Sequence, residues 1–287
     1  NKLELSQAYH RHTQNLAPIP HQIVDDGPVL ENILEGDAID VTKFPSPLWN
    51  PEDGGRYIGT GCFNITRDPD SGWINCGTYR VMVHDEKRVG LYISPGKHGR
   101  IHRDKYMVKG EPMPVCIVIG SDPLSFLTSS TEAPEGMCEL DMMGAYRGEA
   151  VRCVRGKHTG LPFPANSEIV IEGFIHPGNT KEEGPFGEWL GYQGGVMEAE
   201  PWVDISAIYH RDNPIMLGAA HIRMPYEYAR YRAISRSAVL KENIVRAGVP
   251  DVTCRDTTVV LNESRAATPR GCDVAGAGAG MNVGTGE

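Results

Sequence analysis

Two glutamates, Glu183 and Glu188, bracket the segment EGPFGE. Gly184, Pro185 and Gly187 lie between them, and these residues interrupt both regular helix and central strand. The sequence therefore predicts a shaped loop. A strand, SEIVIEGFI from Ser167 to Ile175, leads toward it, and Phe186, Trp189 and Tyr192 lie within it or just after. Two carboxyls beside apolar rings suit acid/base work, because desolvation can raise the pKa of one while the other stays ionised. The same spacing also fits a surface turn whose glutamates are merely solvated.

Other groups could converge on this pair. Asn75 and Arg80 stand in NCGTYR, His98 in SPGKH, Ser129 and Ser130 in TSSTEAPEG, and Glu139 follows shortly. An amide oxygen, an imidazole and a carboxylate together suit a divalent Mn or Mg ion shared with phosphate oxygens. Arg80 has the fork geometry to clamp a carboxylate. Each residue also has a plainer reading: a satisfied histidine after a strand, a helix carboxylate, an arginine leaving a hairpin. There is no GxGxxG, Walker loop or HExxH, and no GxSxG in a convincing setting. GAGAG near the end lacks the strand and helix of a phosphate cradle and reads as a flexible glycine tract.

The elements that must position these groups are mostly strands. Gly54 to Val83 reads as a hairpin about the turn residues Asp68, Pro69, Asp70 and Gly72. Val89 to Ser94 is a further strand, followed by a turn at PGKH. VCIVIG, from Val115 to Gly120, is an apolar run of buried-strand length, and the SDP after it marks a turn into a helix. WVDISAIYHRD and PIMLGAAH read as strands, and HQIVDD as a short one. Helices are expected from Pro28 to Asp37, after Pro134, and from Pro225 to Gly248, where Gly248 would cap the end. Strands dominating the middle with helices at the edges predict an α+β fold with a β-barrel-like centre. The domain reading is a partial N-terminal α/β segment over 1–54, a central domain over 55–250, and a Gly-rich tail or incomplete C-terminal domain over 251–287.

Bulk properties narrow the partners. A length of 287 residues supports a sizeable core, and the net charge of -9 disfavours a nucleic-acid binder. No apolar run reaches membrane-span length and no signal peptide opens the chain, so the expected compartment is the cytoplasm. Seven cysteines without a CxxC read as reduced, mostly buried thiols. The missing initiator Met suggests a fragment or a processed chain.

Taken in order, GGRYIGTG, NCGTYR, SPGKH, SSTEAPEG with its glutamate, PANSEIVIEGF and EGPFGEWLGY resemble the UbiD-type (de)carboxylases that use prenylated FMN. The resemblance implies a split β-barrel flavin-binding domain with flanking helices, part of a larger UbiD-like architecture. It implies that Asn75, His98 and Glu139 hold a divalent ion, Mn or Mg, on the cofactor phosphate. Potassium would sit on mostly backbone oxygens of Cys76, Thr128, Ser129 and Thr131, with Glu139 shared. Asn75, Cys76, Gly77, Thr78, Tyr79 and Arg80 would line the cofactor with Lys97, His98, Ser129, Ser130 and Glu139. The family's catalytic Arg, Glu and Glu fall on Arg80, Glu183 and Glu188.

The implied reaction is reversible, non-oxidative decarboxylation of an aromatic, heteroaromatic or α,β-unsaturated acid. The modified flavin acts as an electron sink through a covalent adduct. Glu183 would hold Arg80, and Glu188 would protonate carbon after CO2 departs. A flavin prenyltransferase would supply the cofactor, and the assembly would be a homodimer or higher homo-oligomer. Cys76, Gly77 and Tyr79 suggest a branch acting on aromatic or heteroaromatic acids rather than phenylacrylates. Both ends look short of the family's full chain, and the residues after about Val252 depart from it. Two other readings stand beside this one: a catalytically silent flavin-binding or assembly subunit, and an FMN reductase on a split barrel.

Overall fold

The computed structural model describes residues 2–13, 16–131, 133–187, 193–194, 198–220, 227–248, 252–254 and 272–274. Its helices are α1 (Lys2–Thr13), α2 (His98–Lys109), α3 (Pro123–Ser129), α4 (Glu139–Arg147) and α5 (Glu227–Arg246). The first seven strands are β1 (Gln22–Ile23), β2 (Asn32–Glu35), β3 (Tyr57–Gly59), β4 (Cys62–Arg67), β5 (Ile74–Gly77), β6 (Arg80–Asp85) and β7 (Arg88–Tyr92). Next come β8 (Met113–Ile119), β9 (Arg152–Arg155), β10 (Pro162–Pro164), β11 (Ile169–Ile175), β12 (Thr180–Glu183) and β13 (Phe186–Gly187). The last are β14 (Gln193–Gly194), β15 (Glu198–His210), β16 (Val252–Cys254) and β17 (Cys272–Val274).

The chain divides into two compact units, residues 15–224 and residues 1–14 with 225–287. In the smaller unit Ser6 Oγ on α1 donates to the Ile234 carbonyl on α5 at 3.3 Å. Strands β16 and β17 pair there antiparallel; the rest of the tail after residue 254 lies outside the described residues.

The larger unit is organised by a curled antiparallel sheet in the order β3-β6-β7-β15-β11-β8-β4-β5, with β2 and β12 also pairing with β15. With helices flanking it, this is the expected α+β, split-barrel architecture. Strand β15 serves as the hub because its 13 residues are long enough to pair with four neighbours. Strand β8 explains the unbroken apolar run in the sequence. Successive side chains point to opposite faces: Val115, Ile117 and Ile119 enter one buried cluster with Val81 and Leu91, whereas Cys116 and Val118 enter another with Leu140 and Met143 of α4. A strand covered on both faces has no polar face to show.

The expected hairpin forms as β4 and β5, closed by Asp68, whose side-chain oxygen accepts the Asp70 and Ser71 amides. Two expectations need correction. Pro28 to Asp37 is not an α-helix: two short 3-10 turns, Pro28–Leu30 and Gly36–Ala38, flank β2, which gains ladder hydrogen bonds from β15. PIMLGAAH is not a strand over its described part, 214–220. Its amides go instead to side chains, Ile215 to Glu168 Oε2 at 3.0 Å and Ala219 to Thr60 Oγ1 at 2.9 Å. Helix α2 was not anticipated beyond the PGKH turn that precedes it. Among the described residues, no helix is long and apolar enough to cross a membrane.

Candidate active site

Arg80 opens β6 directly opposite Tyr92 of β7, and its guanidinium carbon lies 4.2 Å from that ring's centroid. The Phe186 ring lies 5.4 Å away. Between these rings the guanidinium meets Glu183 with two hydrogen bonds, Nε to Oε1 at 2.8 Å and Nη2 to Oε2 at 2.6 Å. Tyr57 Oη donates to Oε1 at 2.8 Å. Glu183 is 2% exposed, so this is a buried, bidentate, charge-assisted pair. Burial, then the adjacent Glu183 charge, pushes the Tyr57 phenol well above its usual range, which keeps it a donor.

The EGPFGE loop is shorter than expected, because Glu183 is still the last residue of β12 and Phe186–Gly187 form β13 against β14. The reversal is confined to Gly184 and Pro185, joined by a cis peptide bond. Glu188, Trp189 and Tyr192 lie outside the described residues.

The three residues expected at a divalent ion lie on β5, at the start of α2 and at the start of α4. Asn75 is buried and its Nδ2 donates to Tyr79 Oη at 3.3 Å. The same phenol oxygen accepts the Gly99 amide at 3.1 Å, one residue after His98, the first residue of α2. Gly77 and Gly99 make this possible: a Cβ on either would lie 2.2 Å or 2.7 Å from the Tyr79 side chain. Glu139, the first residue of α4, accepts the Cys76 amide at 2.7 Å. Its carboxyl is 3% exposed and burial pushes it up to about 7. Trp73 braces the imidazole of His98, with ring centroids 4.8 Å apart, while its Nε1 donates to the Met137 carbonyl at 3.0 Å. Thr78 is half-buried in the link to β6, and Lys97 is exposed at the start of α2.

Thr128 and Ser129 end α3 and Ser130 and Thr131 follow it, and every one of their hydroxyls is turned back onto a helix carbonyl, at 2.8 to 3.0 Å. A separate group offers ligand atoms within 4.8 Å of one another: His21, Cys138 and Asp141. None of the three belongs to the expected set, and His21 already binds Asp141 Oδ1 through both Nδ1 and its amide.

The model of the family described as "3-octaprenyl-4-hydroxybenzoate carboxy-lyase Rift-related domain", UbiD, matches residues 22–224. The chain belongs to the UbiD family. It is 35% identical over 233 residues to pyrrole-2-carboxylic acid decarboxylase of Pseudomonas aeruginosa, covering 81% of this chain and 47% of that protein. Among solved structures it is similar to an evolved dimeric form of the UbiD-class enzyme HmfF from Pelotomaculum thermopropionicum in complex with prFMN. That match has a TM-score of 0.77 and 32% identity, over 86% of this chain and 57% of that one. It is also similar to vanillic acid decarboxylase of Sedimentibacter hydroxybenzoicus in closed form, with TM-score 0.79 and 30% identity, over 88% of this chain and 54% of that one. The chain spans about half the length of the curated relatives it matches.

In this UbiD-family chain the structure brings Arg80 to Glu183, links Asn75 through Tyr79 to the start of α2, and sets the Cys76 amide on Glu139 at the start of α4. Sequence reasoning missed Tyr57, Tyr92 and Trp73, which touch Glu183, Arg80 and His98, and Asp53, which accepts the Gly187 amide in the same loop. Tyr57 lies in the quoted GGRYIGTG, so its segment was flagged although its partner was not. Tyr92 could have been paired with Arg80 only by knowing the β6–β7 register.

Proposed function

We propose that this chain carries the cofactor and catalytic region of a prenylated-FMN-dependent carboxy-lyase. The reaction is reversible, non-oxidative decarboxylation of an aromatic, heteroaromatic or α,β-unsaturated carboxylic acid. The observation that carries this reading is the buried Arg80–Glu183 pair with Tyr57 on the same carboxylate. A guanidinium whose direction is fixed by two parallel bonds is suited to orienting a carboxylate or a flavin edge. The carboxylic-acid decarboxylases among its relatives support the reaction class.

The residues on β5 and at the starts of α2 and α4 fit a metal-bridged phosphate. Glu139 is a buried carboxyl met by the Cys76 amide; burial raises its pKa to about 7, and a cation beside it would favour its charged form. Asn75, His98 and Glu139 would hold Mn2+ or Mg2+, and the starts of α2 and α4 offer partial positive charge to a phosphate. Carbonyl oxygens around Cys76, Thr128, Ser129 and Thr131 would hold K+, favoured by the negative end of α3. When bound, the prenylated flavin supplies the electrophilic centre that accepts electron density as CO2 leaves. Arg80 orients the acid, Glu183 holds Arg80, and Glu188 delivers a proton to the substrate carbon. A flavin prenyltransferase supplies the cofactor, and the protein works as a homodimer or higher homo-oligomer. The free thiols of Cys62, Cys76, Cys116, Cys138 and Cys153 support a cytoplasmic setting.

Co-expression of the full protein with a flavin prenyltransferase tests this reading. Prenylated-flavin absorbance together with CO2 release from a panel of aromatic and heteroaromatic acids is expected. Bound cofactor with no turnover of any acid would indicate a flavin-binding subunit, and NADH oxidation a flavin reductase.

A further inference from the structure

The pair at Arg80 raises a question of what fixes Glu183. Its strand β12 ends at Glu183, and the chain reverses at once through Gly184, at φ 83°, and Pro185. The segment from Asn50 to Tyr57, more than 120 residues earlier, grips this reversal at four points. Tyr57 Oη donates to Glu183 Oε1 at 2.8 Å. The Gly54 amide donates to the Pro185 carbonyl at 2.8 Å. Asp53 Oδ1 accepts the Gly187 amide at 3.0 Å. The Tyr57 and Phe186 rings pack with centroids 4.3 Å apart.

The grip is itself braced. Asp53 Oδ2 accepts the Asn50 amide at 2.8 Å, the Asp53 amide donates back to the Asn50 carbonyl, and Trp49 Nε1 donates to the Tyr57 carbonyl. Asp53 is only 8% exposed. Residue 54 has to be glycine for the two segments to touch: a Cβ there would lie 1.8 Å from the Gly184 carbonyl oxygen. A nearly buried carboxyl group that accepts two backbone amides, Asn50 on its own segment and Gly187 across the gap, defines a position rather than a surface turn.

We propose that Asp53 and Tyr57 are positioning residues, which with Gly54 clamp the Glu183–Gly187 reversal and so set the direction of the Arg80 guanidinium. Tyr57 acts on the carboxylate and Asp53 on the backbone beyond it. This inference rests on the decarboxylase reading only for its kinetic arm. The clamped reversal begins directly after Glu183, so the carboxylate that holds Arg80 depends on it.

The test uses the full protein, loaded with prenylated flavin, in the variants Tyr57→Phe, Asp53→Ala and Asp53→Asn. Tyr57→Phe keeps the ring on Phe186 and removes only the donor. Tyr57→Phe and Asp53→Ala are expected to lower kcat about 10- to 100-fold, with KM changed by less than about threefold. Asp53→Asn keeps one acceptor oxygen for the Gly187 amide but turns its NH2 toward the Asn50 amide, and is expected to recover part of the rate. The second readout needs neither cofactor nor turnover: backbone hydrogen exchange at Gly187 and Gly54 should accelerate in Asp53→Ala, while the β8 core amides stay protected. Unaltered exchange at Gly187 in Asp53→Ala would overturn the clamp even if no acid is ever turned over. A rate loss that Asp53→Asn does not relieve, or one that follows a general loss of β8 protection, would likewise overturn it. If the exchange result holds and wild type releases no CO2, the decarboxylase reading fails and the clamp stands.

Discussion

Arg80 and Glu183, 103 residues apart in the chain, are joined by two parallel hydrogen bonds in a place where the glutamate side chain is 1% exposed. Neither residue can be altered alone without leaving its partner's charge buried. Removing one member of such a pair costs about 3–5 kcal/mol. Glu183→Gln and Arg80→Ala are therefore expected to lower the melting temperature as well as abolish CO2 release. Arg80→Lys restores the charge but not the fork, and should recover stability better than turnover. Thermal melts beside CO2 assays check this, and wild-type turnover in Arg80→Lys would remove the orienting role.

The proton-delivery role assigned to Glu188 predicts a separation of binding from chemistry. Glu188→Gln should retain the flavin spectrum while losing product formation by about two orders of magnitude or more. Solvent-deuterium incorporation into the product carbon offers an independent measure. Undiminished incorporation in the variant would transfer the role to another acid.

His98 is assigned to a metal, so its loss should be felt by two components together. His98→Ala is expected to lower Mn and flavin content in parallel, read by elemental analysis and absorbance on the same sample. A flavin-replete, metal-replete variant would take His98 out of the ligand set. Asn75→Ala should behave alike, since both residues meet the phosphate end of the proposed site.

His84 on β6 predicts an acid limit to stability. Among the described residues, its buried Nε2 has no hydrogen-bond partner. Burial, with Lys181 and Arg88 nearby, pushes its pKa down to about 4 from 6.5, against the opposing pull of Asp85 and Glu183. The folded state thus favours neutral imidazole. That stability is present above pH 6.5 and is lost as pH falls toward 4, where the unfolded chain takes up the proton first. His84→Gln should flatten this part of the profile of melting temperature against pH, and an unchanged slope would locate the acid sensitivity elsewhere.

The sequence alone determined the chemical vocabulary and much of the element order. The double-sided burial of β8 was written in VCIVIG, because a strand covered on both faces shows no polar alternation. Asp68, Asp70 and Gly72 announced the β4–β5 turn through local backbone preferences, and Pro225 and Gly248 bracketed the span in which α5 lies. Six short segments in one order sufficed to suggest the family that residues 22–224 match.

Tertiary structure decided what those residues touch. Pro28 to Asp37 has local helix signals, yet Asn32–Glu35 becomes a strand because β15 offers a ladder that no local term contains. PIMLGAAH reads as a strand from its apolar run, but Glu168 and Thr60 take two of its amides instead. Glu183 could be named from EGPFGE, whereas Tyr57 on its carboxylate, Tyr92 beside Arg80 and Asp53 on the Gly187 amide could not be assigned. Cross-strand register and loop contact over more than a hundred residues bring them together, and such contacts leave no periodic trace in the linear chain. The sequence carried the groups; the folding of one long antiparallel sheet around β15 chose which of them meet.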